Sequence, residues 1–463
     1  MNPSTTTRRV RAAGLLAAAL ACFGSSASTN PVAGSNVMVL TGLNVIDGNG
    51  GPVMSNRTLV VREGRIADVY RTGTKRAPPG ALVRDMAGRF VMPGLIDSHV
   101  HLQSQARDQA FVKSMLRRAL LGGVTTVRDM GGNGPELEAL RKTSADGTIA
   151  SPHVLYSSFV TGEGSRHWLD DEKGRFVAGP SGPGKSPWFR RIDATTDLPA
   201  FVAQAKAFGA SGIKVHSGVP ALLLARLCAE ARRQGLPVWS HAAVNPAGPA
   251  DAVAAGVSSI SHADMLSFEG LPPDQSPLSA SEYQVRALLA VRSTPPGSPV
   301  ITRLLRDMKR RGVILEPTLF IIRNFQTRAQ GDARERLRAH ADYAAAITRR
   351  ADAMGIPMVA GTDALLLGTS PNIHAELQLL VREGGLTPLE AITAATRNGA
   401  RLLGIDRVRG TISRGRAADL VFLTKDPSRD IRNTQTIVAV MIDGRMKERS
   451  DSMETPPLSE PPR

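Results

Sequence analysis

The feature that most constrains the fold is a regular alternation of short apolar segments with helical stretches from Val91 onward. The apolar segments have strand length and recur at intervals of roughly 20 to 45 residues, a spacing typical of βα units in a parallel sheet. There are eight of them: Val91–Ile96, Val124–Arg128, Val154–Phe159, Gly212–Val215, Pro237–Ser240, Ser258–Ser261, Val313–Leu315 and Pro357–Ala360. Eight consecutive βα units predict an α/β fold, a (β/α)8 TIM barrel.

Both ends of this repeating region have a different, β-rich character. Residues 37–90 and 409–446 contain short apolar runs separated by turn pairs such as Glu63-Gly64 and Asp443-Gly444. Turn residues between short apolar runs are typical of antiparallel strands. We therefore expect the two ends to form one small β-sandwich domain beside a barrel at 91–408. The Pro-, Ser- and Glu-rich residues 447–463 are expected to be a disordered tail.

Residues 1–27 have the organisation of a signal peptide. Three arginines precede an apolar run, Ala12–Cys22, and small residues follow it. The run has eleven residues, too few for a transmembrane helix, which needs about 20. We therefore expect an exported protein, periplasmic or secreted, without a transmembrane span. The export route stays open, because Ala19–Cys22 fits a lipoprotein cleavage site with lipidation of Cys22, whereas Arg8-Arg9 fits a twin-arginine route.

The composition excludes several other classes of protein. Lys and Arg number 57 against 41 Asp and Glu, a net charge of +16 that would suit a nucleic-acid-binding protein. Aromatic residues are only 4% of the chain, however, and no basic run is interleaved with them. The arginines are scattered over predicted helices, as on a solvated surface, so we expect no nucleic-acid partner. Two cysteines, Cys22 and Cys228, exclude a disulfide scaffold.

Histidine and aspartate residues stand where the predicted strands end. In the segment DSHVH, His99 and His101 are two residues apart, so both face the same side of an extended strand. His241 closes PVWSH, His262 closes SSISH and Asp363 closes VAGTD. Because the carboxyl ends of barrel strands meet at one rim, we expect these side chains to lie together. Imidazole and carboxylate ligands in such a cluster fit a zinc-type site with an open position for water.

Lys214, in GIKVH, follows the same strand-end rule. An ammonium group that points toward bound cations is unfavourable, so burial and the metal charge should lower the pKa of this lysine. A neutral lysine amine reacts with carbon dioxide to give a carbamate, an anionic ligand with two oxygens that can bridge two metal ions. We therefore expect a carbamate on Lys214.

These residues lie in motifs that resemble the amidohydrolase superfamily. The motifs that carry the resemblance are VMPGLIDSHVHL, GVSSISHAD, GTDALLLG, GLTPLEAITAATRNGARLLG and GTISRGRAADLVFL. It extends over residues 37–445, and the chain is most similar to the imidazolonepropionase-like branch, which includes metal-dependent Xaa-Pro dipeptidases and related carboxypeptidases. The resemblance implies a (β/α)8 barrel with a small β-sandwich.

The resemblance also implies a binuclear metal centre with two divalent ions, expected to be zinc. Carried over by motif, His99 and His101 bind the more buried ion. His241 and His262 bind the second ion, and carboxylated Lys214 bridges the two.

The implied reaction is hydrolysis of an amide bond in a dipeptide, an Xaa-Pro substrate or an N-acyl amino acid. Two cations about 3.5–4 Å apart lower the pKa of a bridging water toward about 7 and polarise the scissile carbonyl. Asp363 contacts the first ion and the bridging hydroxide. As general base it takes the proton of the hydroxide and passes this proton to the leaving amine.

The residues that select the substrate are harder to predict. His216 lies two residues after Lys214 and should face the same way, so it either contacts substrate or supports a ligand. Arg166 and His167 lie in a long insert after the third strand, where a guanidinium is suited to meet a substrate carboxylate.

Three alternative functions stay open. The chain could be a mononuclear deaminase or cyclic-amide hydrolase of the same superfamily, although such enzymes commonly lack the bridging lysine. It could be a lactone or phosphotriester hydrolase, because the same hydroxide attacks those centres. It could also be a metal-free binding protein, but the ligand positions should then have eroded. The exact substrate, the metal identity and the oligomeric state, a homo-oligomer included, are left undetermined.

Overall fold

The computed structural model describes residues 37–102, 109–162, 177, 184–272, 280–366 and 370–448. Within these ranges, none of the helices combines the length and the apolar character needed to cross a membrane. The predicted signal peptide and the predicted C-terminal tail lie outside the described residues.

The strands and helices alternate through most of the described chain. The strands are β1 (Val37–Val45), β2 (Met54–Arg62), β3 (Arg65–Arg71), β4 (Leu82–Asp85), β5 (Phe90–Pro93), β6 (Leu95–Val100), β7 (Val124–Asp129), β8 (His153–Gly162), β9 (Phe189–Ile192), β10 (Gly212–Val215), β11 (Val238–His241), β12 (Ser259–Ser261), β13 (Ile314–Glu316), β14 (Leu420–Leu423), β15 (Ile437–Ile442) and β16 (Arg445–Glu448). The α-helices are α1 (Gln109–Leu121), α2 (Gly134–Ala145), α3 (Leu198–Phe208), α4 (Ala221–Arg233), α5 (Pro249–Ala255), α6 (Ala280–Ser293), α7 (Pro299–Arg311), α8 (Leu319–Arg328), α9 (Gly331–Ala353), α10 (Ile373–Arg382), α11 (Pro388–Thr393) and α12 (Gly399–Leu402). Shorter helical turns are the 3-10 segments Ala263–Gly270 and Ile431–Gln435 and the π-helical turn Ala394–Asn398.

A curled parallel sheet carries the strand ends on which the site is predicted. Its strands follow the order β6-β7-β8-β10-β11-β12-β13, and β9 pairs with β8. Neighbouring strands are parallel throughout. The polypeptide can return to the same end of the sheet only through a crossover, and helices such as α4 provide it. The class is therefore α/β, and the half-barrel curl is consistent with a TIM-like barrel.

The helix α4 illustrates how the sequence covers this sheet. Its buried side chains are Leu223, Leu224, Leu227, Cys228 and Ala231, which recur at the spacing of one helical face. The opposite face carries Arg226 together with the exposed Leu222, and Arg232 and Arg233 lie in the last turn, where they meet the negative end of the helix dipole. The apolar face therefore packs on the sheet and the charges stay in solvent.

The eighth predicted strand, Pro357–Ala360, forms only an isolated bridge, in which Met358 pairs with Leu315 of β13. The segment still bonds to both neighbours. On one side the Leu315 N–H donates to Pro357 O (3.0 Å), and on the other the Ser98 N–H of β6 donates to Ala360 O (2.9 Å). The peptide groups at this position are therefore satisfied although the pairing is too short for a regular strand.

The second sheet combines strands from both ends of the described chain. Its order is β16-β15-β14-β5-β1-β2-β3, with β4 paired to β1, and β14 pairs antiparallel with β5. Strands from both ends of the described chain therefore pair in a single sheet. The predicted sandwich domain and its boundaries stay predictions.

The prediction of one strand at Val91–Ile96 is wrong, because the polypeptide leaves one sheet and enters the other within it. Phe90–Pro93 pairs in the second sheet, whereas Leu95–Val100 is the first strand of the parallel sheet. Between them, a Cβ on Gly94 would lie 2.1 Å from Thr125 Oγ1. Only glycine fits at this crossing, since any side chain would collide with β7.

Candidate metal centre

The parallel sheet places all six predicted metal ligands at the carboxyl ends of its strands. His99 lies near the end of β6, Lys214 near the end of β10 and His241 at the end of β11. The others follow directly: His101 follows β6, His262 follows β12 and Asp363 follows the bridge segment at 357–360. The structure thus brings to one rim residues that are up to 264 positions apart in the sequence (363 − 99).

His99, His101 and Asp363 form a compact group of possible metal ligands among the described residues. Each offers a ligand atom, and these atoms lie within 4.8 Å of one another. The Nε2 atoms of His99 and His101 are each 3.2 Å from Asp363 Oδ1. His99 Nε2 is buried and makes no hydrogen bond with the described part of the chain. A buried nitrogen that faces a carboxylate without a hydrogen bond is where a cation would be bound.

The remaining imidazoles continue from this group as a chain of neighbouring rings. The His262 ring lies 5.2 Å from the His99 ring, and the His241 ring lies 4.7 Å from the His262 ring. Burial is the main cause that lowers the pKa of His262 to about 4, and burial together with the Lys214 charge holds the pKa of His241 well below its ordinary value. Both imidazoles are therefore neutral near pH 7, as metal coordination requires.

Lys214 is almost fully buried, with 1% of its surface exposed. Its Nζ donates to Ser261 Oγ over 3.3 Å, which points the amine across β11 toward β12. Burial is the largest of the effects that lower the pKa of Lys214 to about 7, and the Arg128 charge acts in the same direction. The amine is thus substantially neutral at physiological pH even though Glu316 and Asp363 favour its charged form.

Two of the site histidines, His262 and His101, have a neutral partner on the ring nitrogen that faces away from the centre. His262 Nδ1 lies 2.8 Å from Thr318 Oγ1, and this hydroxyl donates its own hydrogen to Pro317 O over 2.8 Å. The hydroxyl must therefore accept from His262 Nδ1–H, which leaves Nε2 unprotonated. His101 Nδ1 lies 3.3 Å from Gly131 O and donates there in the same way. Such contacts orient a ligand and fix its tautomer.

The backbone at the centre is held in an unusual conformation. His262, Thr318 and Asp363 all have positive φ, at 69°, 52° and 57°. This left-handed conformation is uncommon for residues other than glycine, and it occurs at functional sites where the surrounding structure over-determines it. Asp97 supplies part of that constraint, because its carboxylate accepts from Thr362 Oγ1 (2.7 Å) and Thr362 N (3.1 Å), directly before Asp363.

Asp363 is ionised at the centre. Burial would raise the pKa of its carboxyl group, but His99 and His101 hold the pKa well below its ordinary value. The same contact raises the pKa of His101, against the effect of burial. An ionised carboxylate can bind a cation, and it has oxygens that can accept a proton.

Sequence reasoning missed two buried residues next to the predicted ligands, Glu316 and Arg128. Glu316 ends β13, and its carboxylate contacts both His99 Nδ1 and the Arg128 guanidinium. Burial would raise the pKa of Glu316, but the Arg128 charge and His99 bring it to about 2. A signal was present in the sequence, because Glu316 directly follows the predicted strand Val313–Leu315 as the ligand histidines follow theirs.

The three predicted substrate contacts, His216, Arg166 and His167, stay predictions. His216 lies beside the metal-site rings, with its ring 4.4 Å from that of His241 and its Nδ1 2.8 Å from Ser217 Oγ. Its place is next to the centre, but contact with a substrate stays a prediction. Arg166 and His167 lie outside the described residues.

The donor set at the rim fits divalent cations. The imidazoles of His241 and His262, neutral near pH 7, and the ionised Asp363 carboxylate converge there, and histidine nitrogen and carboxylate oxygen are ligands of divalent ions such as zinc. A second cluster of the described residues, His153 with Asp419 and Asp443, does not fit a metal. The Arg409 guanidinium donates hydrogen bonds to the carboxylates of both Asp419 and Asp443 and already supplies the compensating positive charge.

The sequence of this chain matches a known protein family. Residues 90–447 match the model of the amidohydrolase family. The chain belongs to the amidohydrolase family. It is therefore an enzyme, a hydrolase that acts on carbon–nitrogen bonds, and its family is metal-dependent.

Relatives of this amidohydrolase are similar over most of their length. It is 26% identical over 444 residues to the ochratoxinase of Aspergillus niger, with 86% of this chain and 83% of that protein covered. It is 27% identical over 429 residues to a dihydroorotase of Pelotomaculum thermopropionicum, with 85% and 90% covered. Among solved structures, a Xaa-Pro dipeptidase with bound methionine in its active site superimposes with a TM-score of 0.70 at 21% identity, covering 89% of this chain and all of that one.

Proposed function

We propose that this amidohydrolase cleaves an amide bond of a dipeptide, an Xaa-Pro substrate or an N-acyl amino acid at a binuclear metal centre. His99, His101 and Asp363 would hold the first divalent ion, and His241 and His262 the second. Lys214, as its carbamate, would bridge the two ions. The observation that carries the proposal is geometric: the ligand atoms of His99, His101 and Asp363 lie within 4.8 Å of one another, and the buried Lys214 and the rings of His241 and His262 lie at the same rim.

The chain's own residues would perform the proton transfers. Divalent ions bound here would lower the pKa of a water molecule and polarise the substrate carbonyl. Asp363 is ionised and lies 3.2 Å from two imidazole nitrogens, so its carboxylate is placed to accept the proton of the attacking water. Asp363 would then deliver that proton to the leaving amine, which must be protonated to depart. The neutral His241 and His262 would remain ligands throughout, because their low pKa values prevent them from serving as acids near pH 7.

The substrate class is supported by relatives rather than by a contact in this chain. One structural neighbour is named as a Xaa-Pro dipeptidase and a sequence relative as an ochratoxinase. Both names agree with hydrolysis of an amide, the class already indicated by the family. Cleavage of a cyclic amide by a one-metal enzyme is the runner-up, because it would use the same His99, His101 and Asp363 group without needing Lys214.

The deciding experiment is metal analysis by inductively coupled plasma mass spectrometry, followed by assays on the same protein. We expect two zinc-like ions per chain and turnover of dipeptides or N-acyl amino acids. One ion per chain with turnover of a cyclic amide would overturn the binuclear proposal. No bound metal after incubation with zinc and bicarbonate would remove the proposed centre altogether.

We also propose that the protein is exported to the periplasm or beyond, from the character of residues 1–27. The zinc ions and carbon dioxide needed by the centre would then be acquired in that compartment or before export. An intact Met1 on protein purified from its native host would contradict the proposed cleavage.

A further inference from the structure

The buried pair Glu316 and Arg128 has no role in the proposed reaction, and it is costly to bury. Both side chains are 0% exposed, as is the ring of His99 that Glu316 contacts. A buried ion pair adds little to stability, and apolar residues of similar volume often replace one without loss. Stability therefore does not explain why this ion pair lies next to the proposed metal centre.

The contacts of Glu316 define what the pair does. One carboxylate oxygen, Oε1, faces His99 Nδ1, and the other, Oε2, accepts from Arg128 Nη2. An ionised carboxylate has acceptors only, so the proton of the His99 imidazole must reside on Nδ1. In the neutral ring, Nε2 then carries no proton, and it is this atom that faces Asp363 Oδ1 at 3.2 Å.

Arg128 is anchored from three directions. Its Nε donates to Ser98 O on β6, its Nη2 donates to Glu316 on β13, and its guanidinium lies 4.4 Å from the centre of the Trp239 ring on β11. Arg128 itself belongs to β7. A planar guanidinium that stacks on an aromatic ring while it donates in two directions cannot be replaced by lysine without loss of geometry. The position of the Glu316 carboxylate is thereby tied to four strands of the parallel sheet.

The other two site histidines with a known partner on the outward-facing nitrogen, His262 and His101, are oriented by neutral groups. His262 donates to the Thr318 hydroxyl and His101 to the Gly131 carbonyl. On the ring nitrogen that faces away from the centre, His99 contacts a carboxylate, whereas His101 and His262 contact neutral groups. The carboxylate makes Nε2 a stronger donor to a cation than a neutral partner would.

We infer that Glu316 and Arg128 are a positioning pair that holds His99 as the Nδ1-protonated tautomer and aims its Nε2 into the metal centre. The inference rests on the proposed centre for its purpose, but the tautomer is a property of the metal-free protein. Neither residue touches the substrate. Loss of the pair should weaken metal binding while the fold and the other ligands stay in place.

The test compares the wild type with Glu316→Gln and with the double variant Arg128→Met, Glu316→Leu. The double variant removes both charges together, so neither is left buried without its partner, and circular dichroism checks that each variant is folded. Glu138→Gln is the matched control, because Glu138 also pairs with an arginine and has a pKa of about 2, but its partners Arg141 and Tyr156 lie away from the ligands.

Two readouts are measured on metal-free protein labelled with 15N at histidine. Nitrogen chemical shifts report the tautomer of His99, assigned with a His99→Asn spectrum, and competition with a chromophoric chelator gives the zinc dissociation constant. We expect Nδ1-protonated His99 in the wild type, a mixture of tautomers in the double variant, and a zinc dissociation constant raised about 10- to 100-fold in that variant. The Glu138→Gln control should stay within about twofold of the wild type.

Nε2-protonated His99 in the wild type would overturn the inference, as would an unchanged tautomer in the folded double variant. Zinc binding by that variant within about twofold of the wild type would overturn it as well. If the wild type binds no zinc, the proposed function fails, while the tautomer comparison still decides the role of the pair.

Discussion

The depressed pKa of Lys214 makes a quantitative prediction about how the centre assembles. At pH 8, an amine with a pKa of about 7 is about 90% neutral, whereas at the ordinary value of 10.5 it is about 0.3% neutral. Since only the neutral amine attacks carbon dioxide, Lys214 should form its carbamate about 300-fold faster at pH 8 than an exposed lysine of equal intrinsic reactivity.

The pH dependence follows from the same value. Below pH 7 Lys214 is increasingly an ammonium and unreactive, and above pH 7 the neutral fraction approaches its maximum. At constant dissolved carbon dioxide, the rate of carbamate formation should therefore rise up to about pH 7 and level off by about pH 8. An ordinary lysine would instead gain about tenfold per pH unit through pH 9.

The assay uses 13C-labelled carbon dioxide and bicarbonate with metal-free protein and added zinc, and the carbamate carbon is followed by NMR. Lys214→Met, of similar length but without an amine, should lose the signal. Lys425→Arg removes an exposed lysine and should keep it. A rate that climbs steadily to pH 9, or a carbamate signal that persists in Lys214→Met, would refute the reasoning.

Two further predictions concern the carboxyl groups of Asp363 and Glu376. Asp363→Asn should lower kcat per bound zinc ion by about 10²- to 10⁴-fold, because the asparagine amide cannot accept the proton. Steady-state kinetics combined with metal analysis would check this. An unchanged kcat per zinc ion would contradict it. Glu376, on α10, accepts from the first N–H groups of α8, and burial raises its pKa to about 8. Because the folded pKa lies above the ordinary 4.5, the free energy of unfolding should fall between about pH 4.5 and pH 8, by at most about 5 kcal/mol. Glu376→Gln should lack this decline; urea unfolding at pH 5 and pH 8 compares the two proteins, and equal declines would show that Glu376 is not its source.

The strand-end positions of the proposed ligands could be predicted because a local sequence signal precedes each one. An apolar run of strand length precedes His99, His241 and His262, and parallel strands must deliver their ends to the same rim. The position alone therefore brings residues together that are far apart in the chain. Asp363 followed the same rule even though its segment is too short to pair as a regular strand.

The sequence could not predict contacts between side chains on different strands of the sheet. Glu316 and Arg128 are 188 residues apart, and nothing local to either shows that they form an ion pair against His99. The sheet crossing at Gly94 is another example. The apolar run from Val91 to Ile96 looks continuous, and only the proximity of Thr125, thirty-one positions away, makes the glycine necessary (125 − 94).

The left-handed residues at the rim restrict how this enzyme can diversify. Asparagine, aspartate, histidine and glycine accept positive φ far more readily than other residues, so positions 262 and 363 admit few replacements on backbone grounds alone. A glutamate at 363, although chemically able to bind a cation, would add backbone strain. Thr318 is β-branched and fits this conformation worst, so a glycine there would relax the backbone but remove the hydroxyl that orients His262. New substrate preferences are therefore more accessible through the loops around the rim than through exchange of the ligands themselves.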